Sequence, residues 1–348
     1  MKTKIVIMFL LIISVLAGCS SESGSGSKAP ISQTRPDIMG TVITISIYQE
    51  AEPEVFEEVF NDLSDIADRM TIQGENQHKS ELAELSELSG KEAVKVSADT
   101  FLAIEKALKM SEDSNGAFNL AVGPLVKLWD INTEAAAIPD EEQINTTLKK
   151  VNYMDVVLDA DEKSVYLEHE GMMIDLGGVA KGYGGDVAAD ILRKNGIKSA
   201  ICDLGGNIVT VGSRPDGLNW RVGVRNPVIG ENGYLGIINV SDKVVVTSGG
   251  YERYFEQDGI IYHHILDTKT GFPSDSGLLS VTIISESSIT ADLLSTAAFV
   301  LGLEEGMPLV EKYSAEAIFV TNDKKVYVTD GLSDSFSLTD PGFVLTED

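Results

Sequence analysis

The stretch ITADLLSTAAF at residues 289–299 is apolar enough for a buried helix, yet it places a carboxylate and a hydroxyl one turn apart. Asp292 and Thr296 are four residues apart, and on a helix such residues are neighbours whose Cβ atoms lie ~5–6 Å apart. With Ser295 beside them they present hard oxygens on one face, and such oxygens favour Mg²⁺ over zinc or copper. The alternative is structural: Asp292 stabilises the helix N-terminus and Thr296 hydrogen-bonds to its own turn. The stretch alone leaves both interpretations open.

Apolar periodicity on either side of this stretch predicts helices and strands that alternate irregularly. Helices are predicted at residues 53–70, 98–113, from 140 onward, from about 181 onward, 290–302 and 304–313. Strands are predicted at residues 41–48, in short pieces from 154 to 174, and at 199–203, 207–211, 219–224, 234–239 and 243–247, followed by a hairpin that turns at Asp258-Gly259. Without a regular βαβ order, the pattern predicts an α+β fold: a single large domain of mixed, mostly antiparallel sheets with packed helices.

Acidic residues dominate the charge of the chain. It has 348 residues, 43% of them hydrophobic, and a formal net charge of −27. A nucleic acid backbone would be repelled, so no nucleic acid partner is expected. Any phosphorylated ligand would need a cation at its own binding site.

The N-terminus has the organisation of an export signal. Residues 1–18 join two lysines to an apolar run too short to span a membrane comfortably, and LAGC resembles the lipobox of bacterial lipoproteins. We therefore expect a signal peptide at residues 1–18, lipidation of Cys19, a Gly/Ser linker at residues 19–30 and a folded domain at residues 31–348. The expected location is the extracytoplasmic face of the cell membrane, held by the lipid anchor. An ordinary cleaved signal peptide is the alternative.

Cysteine and histidine usage predicts neither a disulfide nor a zinc site. Only Cys202 is left besides Cys19, so an internal disulfide in the mature protein is not expected. The histidines stand at no familiar zinc-ligand spacing; they are His78, His169, His263 and His264.

A glycine-rich stretch, IDLGGVAKGYGGDVAADIL, occupies residues 174–192. It predicts a strand that ends at Asp175, a tight turn and a helix that begins near Lys181, whose free N–H groups could hold an anion. It matches neither the P-loop nor the dinucleotide-binding pattern. The alternative is a turn with a purely structural role.

Two further stretches carry polar residues at predicted turns. In CDLGGNIVTVG (residues 202–212) the glycines favour a simple hairpin turn. In TSGGYERYFEQDGIIYHHILDTKTGFP (residues 247–273) strand alternation places His263 and His264 on opposite faces, so that one of them points into a site. Asp267 is either a site residue or a turn former, and Arg253 either a site residue or a surface charge.

Taken together, these stretches resemble the FAD:protein FMN transferases, the ApbE-like flavin transferases, over about residues 36–330. The matching motifs occur in the order of that family: MGTVITI (39–45), GAFNLAVGPLVKLW (116–129), DLGGVAKGYGGD (175–186), GGNI (205–208), SGGYERYF (248–255), YHHILDTKTGFP (262–273) and ADLLSTAAFVLG (291–302). The resemblance implies an ApbE-like fold related to the T-fold.

The resemblance also implies a role for individual residues. FAD would be contacted by Met39, Ala117, Phe118, Asn119, Asp175, Lys181 and Leu266. Mg²⁺ would be held by the backbone carbonyl of Gly178 and by Asp292 and Thr296, with Ser295 at a position that is acidic in some relatives. Asn119 stands where many relatives have aspartate, and no residue between 70 and 85 can be assigned to the family's flavin-stacking aromatic.

The reaction implied by the resemblance moves FMN from FAD to a threonine of an exported or membrane-bound acceptor protein, with release of AMP. It would depend on Mg²⁺ and use FAD as substrate. His264 is the first candidate for the general base because imidazole titrates near neutrality, and Asp267 is the second. Two alternatives remain: an FAD pyrophosphatase that yields free FMN and AMP, and a flavin-binding lipoprotein without catalysis.

Overall fold

A nine-stranded sheet organises the described part of the chain, which comprises residues 29–72, 80–131 and 133–346 of the computed structural model. The predicted signal peptide and Cys19 lie outside the described residues, and so do residues 73–79 of the segment without an assigned aromatic.

Helices and strands alternate irregularly along the described chain. The helices are α1 Pro53–Met70, α2 Glu81–Glu87, α3 Ala98–Asp113, α4 Gly123–Trp129, α5 Glu141–Leu148, α6 Ala180–Lys194 and α7 Ser288–Lys312. The strands are β1 Ile31–Ile38, β2 Thr41–Ile47, β3 Val94–Lys95, β4 Val156–Asp159, β5 Ser164–Leu167, β6 Ser199–Leu204, β7 Asn207–Gly212, β8 Trp220–Arg225, β9 Tyr234–Val240, β10 Val244–Gly249, β11 Tyr254–Gln257, β12 Ile260–His263, β13 Leu278–Ser285, β14 Glu316–Thr321, β15 Lys325–Val328, β16 Phe336–Leu338 and β17 Val344–Leu345.

The large sheet has the order β1-β2-β6-β7-β10-β13-β14-β15-β17. The first and last strands of the described chain are therefore its two edge strands. Its neighbouring strands pair antiparallel except β15 with β17. Three small sheets accompany it: β16-β9-β8, β3-β5-β4 and the hairpin β11-β12. The α+β class with mostly antiparallel sheets is therefore confirmed.

Local signals explain where several elements begin and turn. The Ser97 hydroxyl accepts a hydrogen bond from Thr100 N at the start of α3, and Asp140 forms a capping box with Gln143 at the start of α5. Asp258 and Gly259 have φ of +54° and +77°, the left-handed pair that a two-residue hairpin turn requires. These starts and turns agree with the sequence prediction.

Helix α7 lies in the core beneath the large sheet. By length and composition it could cross a membrane, but it packs on α6, β10 and β13, as the core helix of a globular domain does. Gly302 has φ of +80° inside the helix and breaks its regular course, which accounts for the two helices predicted at 290–302 and 304–313.

Several features of the fold differ from the prediction. The elements that were not predicted are strands β1, β3, β13, β16 and β17 and helices α2 and α4. Most of them are short or lack a clear apolar period, whereas β13 is buried along nearly its whole length and shows no alternation. The strand predicted to end at Asp175 is wrong: residues 172–176 join no sheet. Instead, Asp175 N donates a hydrogen bond to Leu120 O at 2.9 Å, which fixes this segment beside the start of α4.

Candidate active site

A cavity of about 640 Å³ opens where α6, α7, the end of β10 and the segment after β12 meet. All seven residues that the family resemblance assigned to FAD line it: Met39, Ala117, Phe118, Asn119, Asp175, Lys181 and Leu266. Gly178, Asp292, Thr296 and His264 line it too, whereas Ser295 and Asp267 are not among its lining residues. Its volume falls within the range of ~300–1,000 Å³ typical of ligand sites.

The glycines of the 174–192 stretch bring α6 and α7 into close contact. A methyl group on Gly182 would lie 2.6 Å from Asp292 Cβ and 2.6 Å from Ser288 O. A methyl group on Gly185 would lie 2.4 Å from the Ser288 hydroxyl. Only glycine permits this close approach. It brings the backbone of Gly182 to the Asp292 carboxylate, and the Gly182 N–H donates a hydrogen bond to Asp292 Oδ2 at 2.8 Å. The sequence suggested that N–H groups in the first turn of α6 could bind an anionic ligand. In the structure this N–H instead binds a carboxylate of the protein itself.

Asp186 joins the same two helices at the start of α7. Its carboxylate accepts hydrogen bonds from Ser288 N at 2.6 Å, Ile289 N at 3.0 Å and the Ser287 hydroxyl at 3.1 Å. Burial nevertheless raises the pKa of Asp186. The contact satisfies N–H groups at the helix start and fixes α7 on α6 one turn before Asp292.

Asp292 is the most enclosed acid of the cavity, with 3% of its surface exposed. Its Oδ1 accepts a hydrogen bond from Asn207 Nδ2 at 3.0 Å and lies 3.5 Å from Lys181 Nζ. Asn207 follows the Gly205-Gly206 turn between β6 and β7, so the GGNI motif is both the hairpin turn predicted and the source of a buried partner for Asp292. Sequence reasoning did not foresee that partner.

Thr296 and Gly178 lie together beside Asp292. A methyl group on Gly178 would stand 3.2 Å from Thr296 Oγ1, so the turn before α6 and the face of α7 are in contact. Thr296 Oγ1 is 3.5 Å from the Ser248 hydroxyl and 3.4 Å from Asp292 O. The back-bond to its own turn is thus long, and the hydroxyl stays available at the cavity wall.

Ser295 is placed differently from its two neighbours. It is fully buried, and its hydroxyl donates to Asp292 O at 2.9 Å and lies 2.8 Å from the Ser248 hydroxyl. These contacts hold α7 against β10 beneath the cavity. The Ser295 hydroxyl therefore serves packing, and Ser295 does not line the cavity with Asp292 and Thr296.

The donor set on this wall fits a hard divalent cation. Asp292 offers a carboxylate, Thr296 a hydroxyl and Gly178 a backbone carbonyl, all of them oxygen donors of the kind that Mg²⁺ binds. The buried Asp292 charge is compensated by Lys181 at 3.5 Å and by two hydrogen bonds, so the carboxylate is oriented in advance.

His264 is held by the backbone of Arg253. Arg253 O accepts from His264 N at 3.1 Å and lies 3.2 Å from His264 Nδ1. Since a carbonyl oxygen only accepts, Nδ1 carries the proton and Nε2 has the free lone pair. Burial, with the positive charge of Arg253, lowers the pKa of His264 to about 3. The imidazole is therefore neutral near pH 7, but its pKa lies well below the near-neutral value on which the sequence prediction of a general base rested.

His263 has a structural position. Strand β12 ends at His263, whose Nε2 donates to Ser274 O at 3.1 Å while its ring meets Phe299 edge-on at 5.6 Å. One histidine of the pair thus faces the site, as predicted. The alternation used to predict it does not continue, because Ile265 lines the cavity together with His264 and Leu266.

Asp267 forms the turn that follows. Its Oδ1 accepts a hydrogen bond from Lys269 N at 2.8 Å, and its carbonyl accepts one from Gly271 N at 2.8 Å. One carboxylate oxygen is therefore engaged in the turn, and the structure favours the turn-forming alternative for this residue.

The flavin-contact candidates come from separate parts of the chain and line the same cavity. Met39 has φ of +54° in the turn between β1 and β2. Asn119 Oδ1 accepts from Ala121 N at 3.0 Å, and Asn119 Nδ2 approaches the Thr268 hydroxyl at 3.4 Å. Burial raises the pKa of Asp175, against the opposing effects of the Gly177 N–H and the Arg253 charge. Met70 and Ile72 also line the cavity. The segment from residue 70, in which no flavin-stacking aromatic could be assigned, therefore borders the cavity.

A separate group of metal-binding residue types lies on the surface. Asp155, Glu168 and His169 bring their ligand atoms within 4.8 Å of one another, a proximity that the sequence spacing concealed. Glu168 and His169 are exposed, and nothing further marks the group as a site.

Comparisons with known proteins point in one direction. The family model described as the ApbE family matches residues 39–319. An FAD:protein FMN transferase of Klebsiella pneumoniae (strain 342) is 36% identical over 88% of this chain and 94% of its own length. One of Treponema pallidum (strain Nichols) is 35% identical over 96% of each chain. The crystal structure of an ApbE protein of Thermotoga maritima superposes with a TM-score of 0.79 at 30% identity, covering 87% of this chain and 97% of that one.

Proposed function

The chain belongs to the ApbE family and is a transferase, and we propose that it transfers FMN from FAD to a threonine of an exported or membrane-bound protein, with release of AMP. The proposal rests on residues that are far apart in the sequence and lie together in the structure. Seven candidate flavin contacts, three candidate oxygen ligands and one neutral histidine, far apart in sequence, line one cavity.

The chemistry is a displacement at phosphorus. The threonine oxygen forms a bond to the phosphorus of the FMN half, and the bond from that phosphorus to the bridging oxygen breaks. AMP leaves with the electron pair, and the threonine proton passes to Nε2 of His264. The carbonyl of Arg253 holds the imidazole in the tautomer that this transfer needs.

We propose that Gly178, Asp292 and Thr296 hold Mg²⁺. When bound, the ion neutralises charge on the pyrophosphate oxygens. Asn207 and the Gly182 N–H orient the Asp292 carboxylate, and Lys181 adds a positive charge beside it. An acidic protein thereby gains a local cationic site for a phosphorylated substrate.

The test is to incubate the protein with FAD, Mg²⁺ and a candidate acceptor, and to measure the intact mass of the acceptor together with free FMN and AMP. Transfer predicts an acceptor heavier by one FMN less one water, with one AMP released per acceptor. Free FMN and AMP without a mass change would identify a pyrophosphatase. Bound, unaltered FAD would identify a flavin-binding protein without catalysis.

We also propose that lipidated Cys19 anchors the protein at the extracytoplasmic face of the cell membrane. The support is the sequence: a basic start, a short apolar run, LAGC and a Gly/Ser linker long enough to separate the domain from the bilayer.

A further inference from the structure

Arg253 is a second cation in the cavity with no role so far beyond its backbone. Its side chain lines the cavity together with Lys181. A methyl group on Gly40 would lie 3.9 Å from one of its terminal nitrogens, so the guanidinium stands beside the turn that carries Met39. Its charge acts on Asp175, Glu252 and His264, so it lies near all three.

The two cations of the cavity differ in their partners. Lys181 Nζ is 3.5 Å from Asp292 Oδ1, so part of its charge is balanced within the protein. Within residues 29–72, 80–131 and 133–346, no carboxylate oxygen lies within 4.0 Å of the Arg253 guanidinium and no acceptor hydrogen-bonds to it. Arg253 is also exposed to the cavity. Its N–H donors therefore have no acceptor among these residues and remain available to a ligand in the cavity.

The chemistry of this side chain selects a phosphate. A guanidinium presents a planar fork of donors that matches two phosphate oxygens and keeps its charge at every relevant pH. The other charged residues that line the cavity are mostly acids: Asp37, Asp68, Asp175, Glu252 and Asp292. Without a cation, such a wall would repel a phosphorylated ligand.

We propose that the Arg253 guanidinium binds non-bridging oxygens of the flavin-side phosphate, the group that is transferred. The proposal rests on the proposed function, which places FAD in this cavity. The flavin-side phosphate is favoured over the adenylate phosphate because Arg253 O holds His264, the base that must meet the attacking hydroxyl. A donor on the same residue lies next to the phosphorus under attack, where charge on the oxygens changes as the bonds exchange.

The experiment compares ligands that differ by one phosphate. Affinities of FMN, riboflavin and AMP are measured with Mg²⁺ present, by flavin fluorescence and calorimetry, for the wild type, Arg253→Gln and Arg253→Lys. Arg225→Gln is the matched control, because Arg225 stacks over the Tyr251 ring at 4.9 Å and is not among the residues that line the cavity. Each substitution leaves the backbone carbonyl that orients His264 in place.

We expect Arg253→Gln to weaken FMN binding about 10–100-fold, the loss of a charge-assisted hydrogen-bond pair, with riboflavin and AMP within about twofold of the wild type. Arg253→Lys should lose less, because it keeps the charge and loses the fork. Arg225→Gln should retain the wild-type ratio of FMN to riboflavin affinity. A general disturbance of the fold would weaken FMN and riboflavin alike.

An unchanged FMN to riboflavin ratio in Arg253→Gln would overturn the proposal, and so would a loss confined to AMP. If Arg253→Gln does not fold, as judged by its melting temperature, the same comparison is made with Arg253→Lys. Failure of the proposed function is a different result: the wild type would then transfer no FMN to any acceptor, whatever Arg253 does to phosphate binding.

Discussion

At the scale of single residues, His264 shows how backbone geometry selects a chemical role. Two histidines stand side by side in the sequence, but one carbonyl receives Nδ1 of His264 and another receives Nε2 of His263. His264 therefore presents Nε2 to the cavity, while His263 is enclosed against Phe299. The same residue type thus acts as a candidate base at one position and as a packing residue at the next.

The first prediction separates these two roles. His264→Ala should lower the rate of transfer about 10²–10⁴-fold, the usual contribution of a general base, and still bind FAD with Mg²⁺. His263→Ala, the control, should lower the melting temperature more than the rate, because it removes a packed side chain. FAD affinity and acceptor flavinylation are measured for both. Lost FAD binding in His264→Ala would make His264 a cofactor contact, and unimpaired transfer would remove it from the mechanism.

The second prediction concerns stability and pH. The pKa of His264 falls from the ordinary 6.5 to about 3 in the folded protein. Between these values the unfolded chain binds a proton at this residue and the folded chain does not, so stability falls as the pH is lowered through this window. His264→Gln has the same carboxylates and lacks this titration. Its free energy of unfolding, measured by urea titration from pH 7 to pH 4, should therefore depend less steeply on pH. Parallel curves for the two proteins would contradict the assignment.

Several site residues could be predicted from the sequence, and others could not. Asp292 and Thr296 could be paired because helical spacing is local. The link from Asn207 to Asp292 and the position of Arg253 depend on how distant strands pack, and no local pattern carries that information. Asp267 and Ser295 were assigned by motif position, whereas the structure engages them in a turn and in helix packing, and neither is among the residues that line the cavity.

At the scale of secondary structure elements, the crossing of α6 and α7 determines the candidate metal site. The glycines of the 174–192 stretch suggested a phosphate-binding turn, but Gly182 and Gly185 mainly permit two helices to approach. Helix α7 was predicted within a few residues of its start, because its apolar content is a local feature. The short helices α2 and α4 were missed because their positions depend on tertiary packing.

The third prediction tests this crossing. Gly182→Ala should destabilise the protein by about 1–3 kcal/mol, the usual cost of overpacking, and weaken Mg²⁺ binding, because the new methyl group would displace Asp292. Gly184→Ala is the control in the same helix, since the atoms nearest to its methyl group would be the side-chain ends of Leu63 and Met39, not backbone or Asp292. Unfolding free energies and Mg²⁺ affinities are compared. Equal effects of the two substitutions would contradict a special role for the close approach at Gly182.

At the scale of the whole molecule, the α+β class followed from the irregular order of elements, but the sheet order did not. The nine-stranded order places β10 between β7 and β13, and these pairings join residues far apart in the chain. Pairings of this kind are fixed by global packing. The sheet brings the end of β10 to α7, which is how Ser248 comes to lie beside Thr296.

The fourth prediction concerns attachment to the membrane. Cys19→Ser should release the protein from the membrane fraction or block its processing, because the residue that would carry the lipid is lost. FMN transfer by the released protein should continue, since every residue that lines the cavity lies beyond the linker. Cell fractionation and a transfer assay measure both. Unchanged membrane association of the mutant protein would contradict the lipoprotein interpretation.

We propose that FMN moves from FAD to a protein hydroxyl at the cavity where Asp292 holds Mg²⁺. The most direct test, and the fifth prediction, measures the intact mass of the acceptor after incubation with FAD over a series of Mg²⁺ concentrations. The proteins compared are the wild type, Asp292→Ala, the isosteric Asp292→Asn, and Asp190→Ala, which removes an exposed carboxylate on α6 that pairs with Arg193.

We expect the wild type and Asp190→Ala to add one FMN to the acceptor only when Mg²⁺ is present. Asp292→Ala and Asp292→Asn should add none at any Mg²⁺ concentration, while circular dichroism shows that Asp292→Asn is folded. FMN transfer by either Asp292 variant at the wild-type rate, or transfer by the wild type in the presence of a chelator, would contradict the claim.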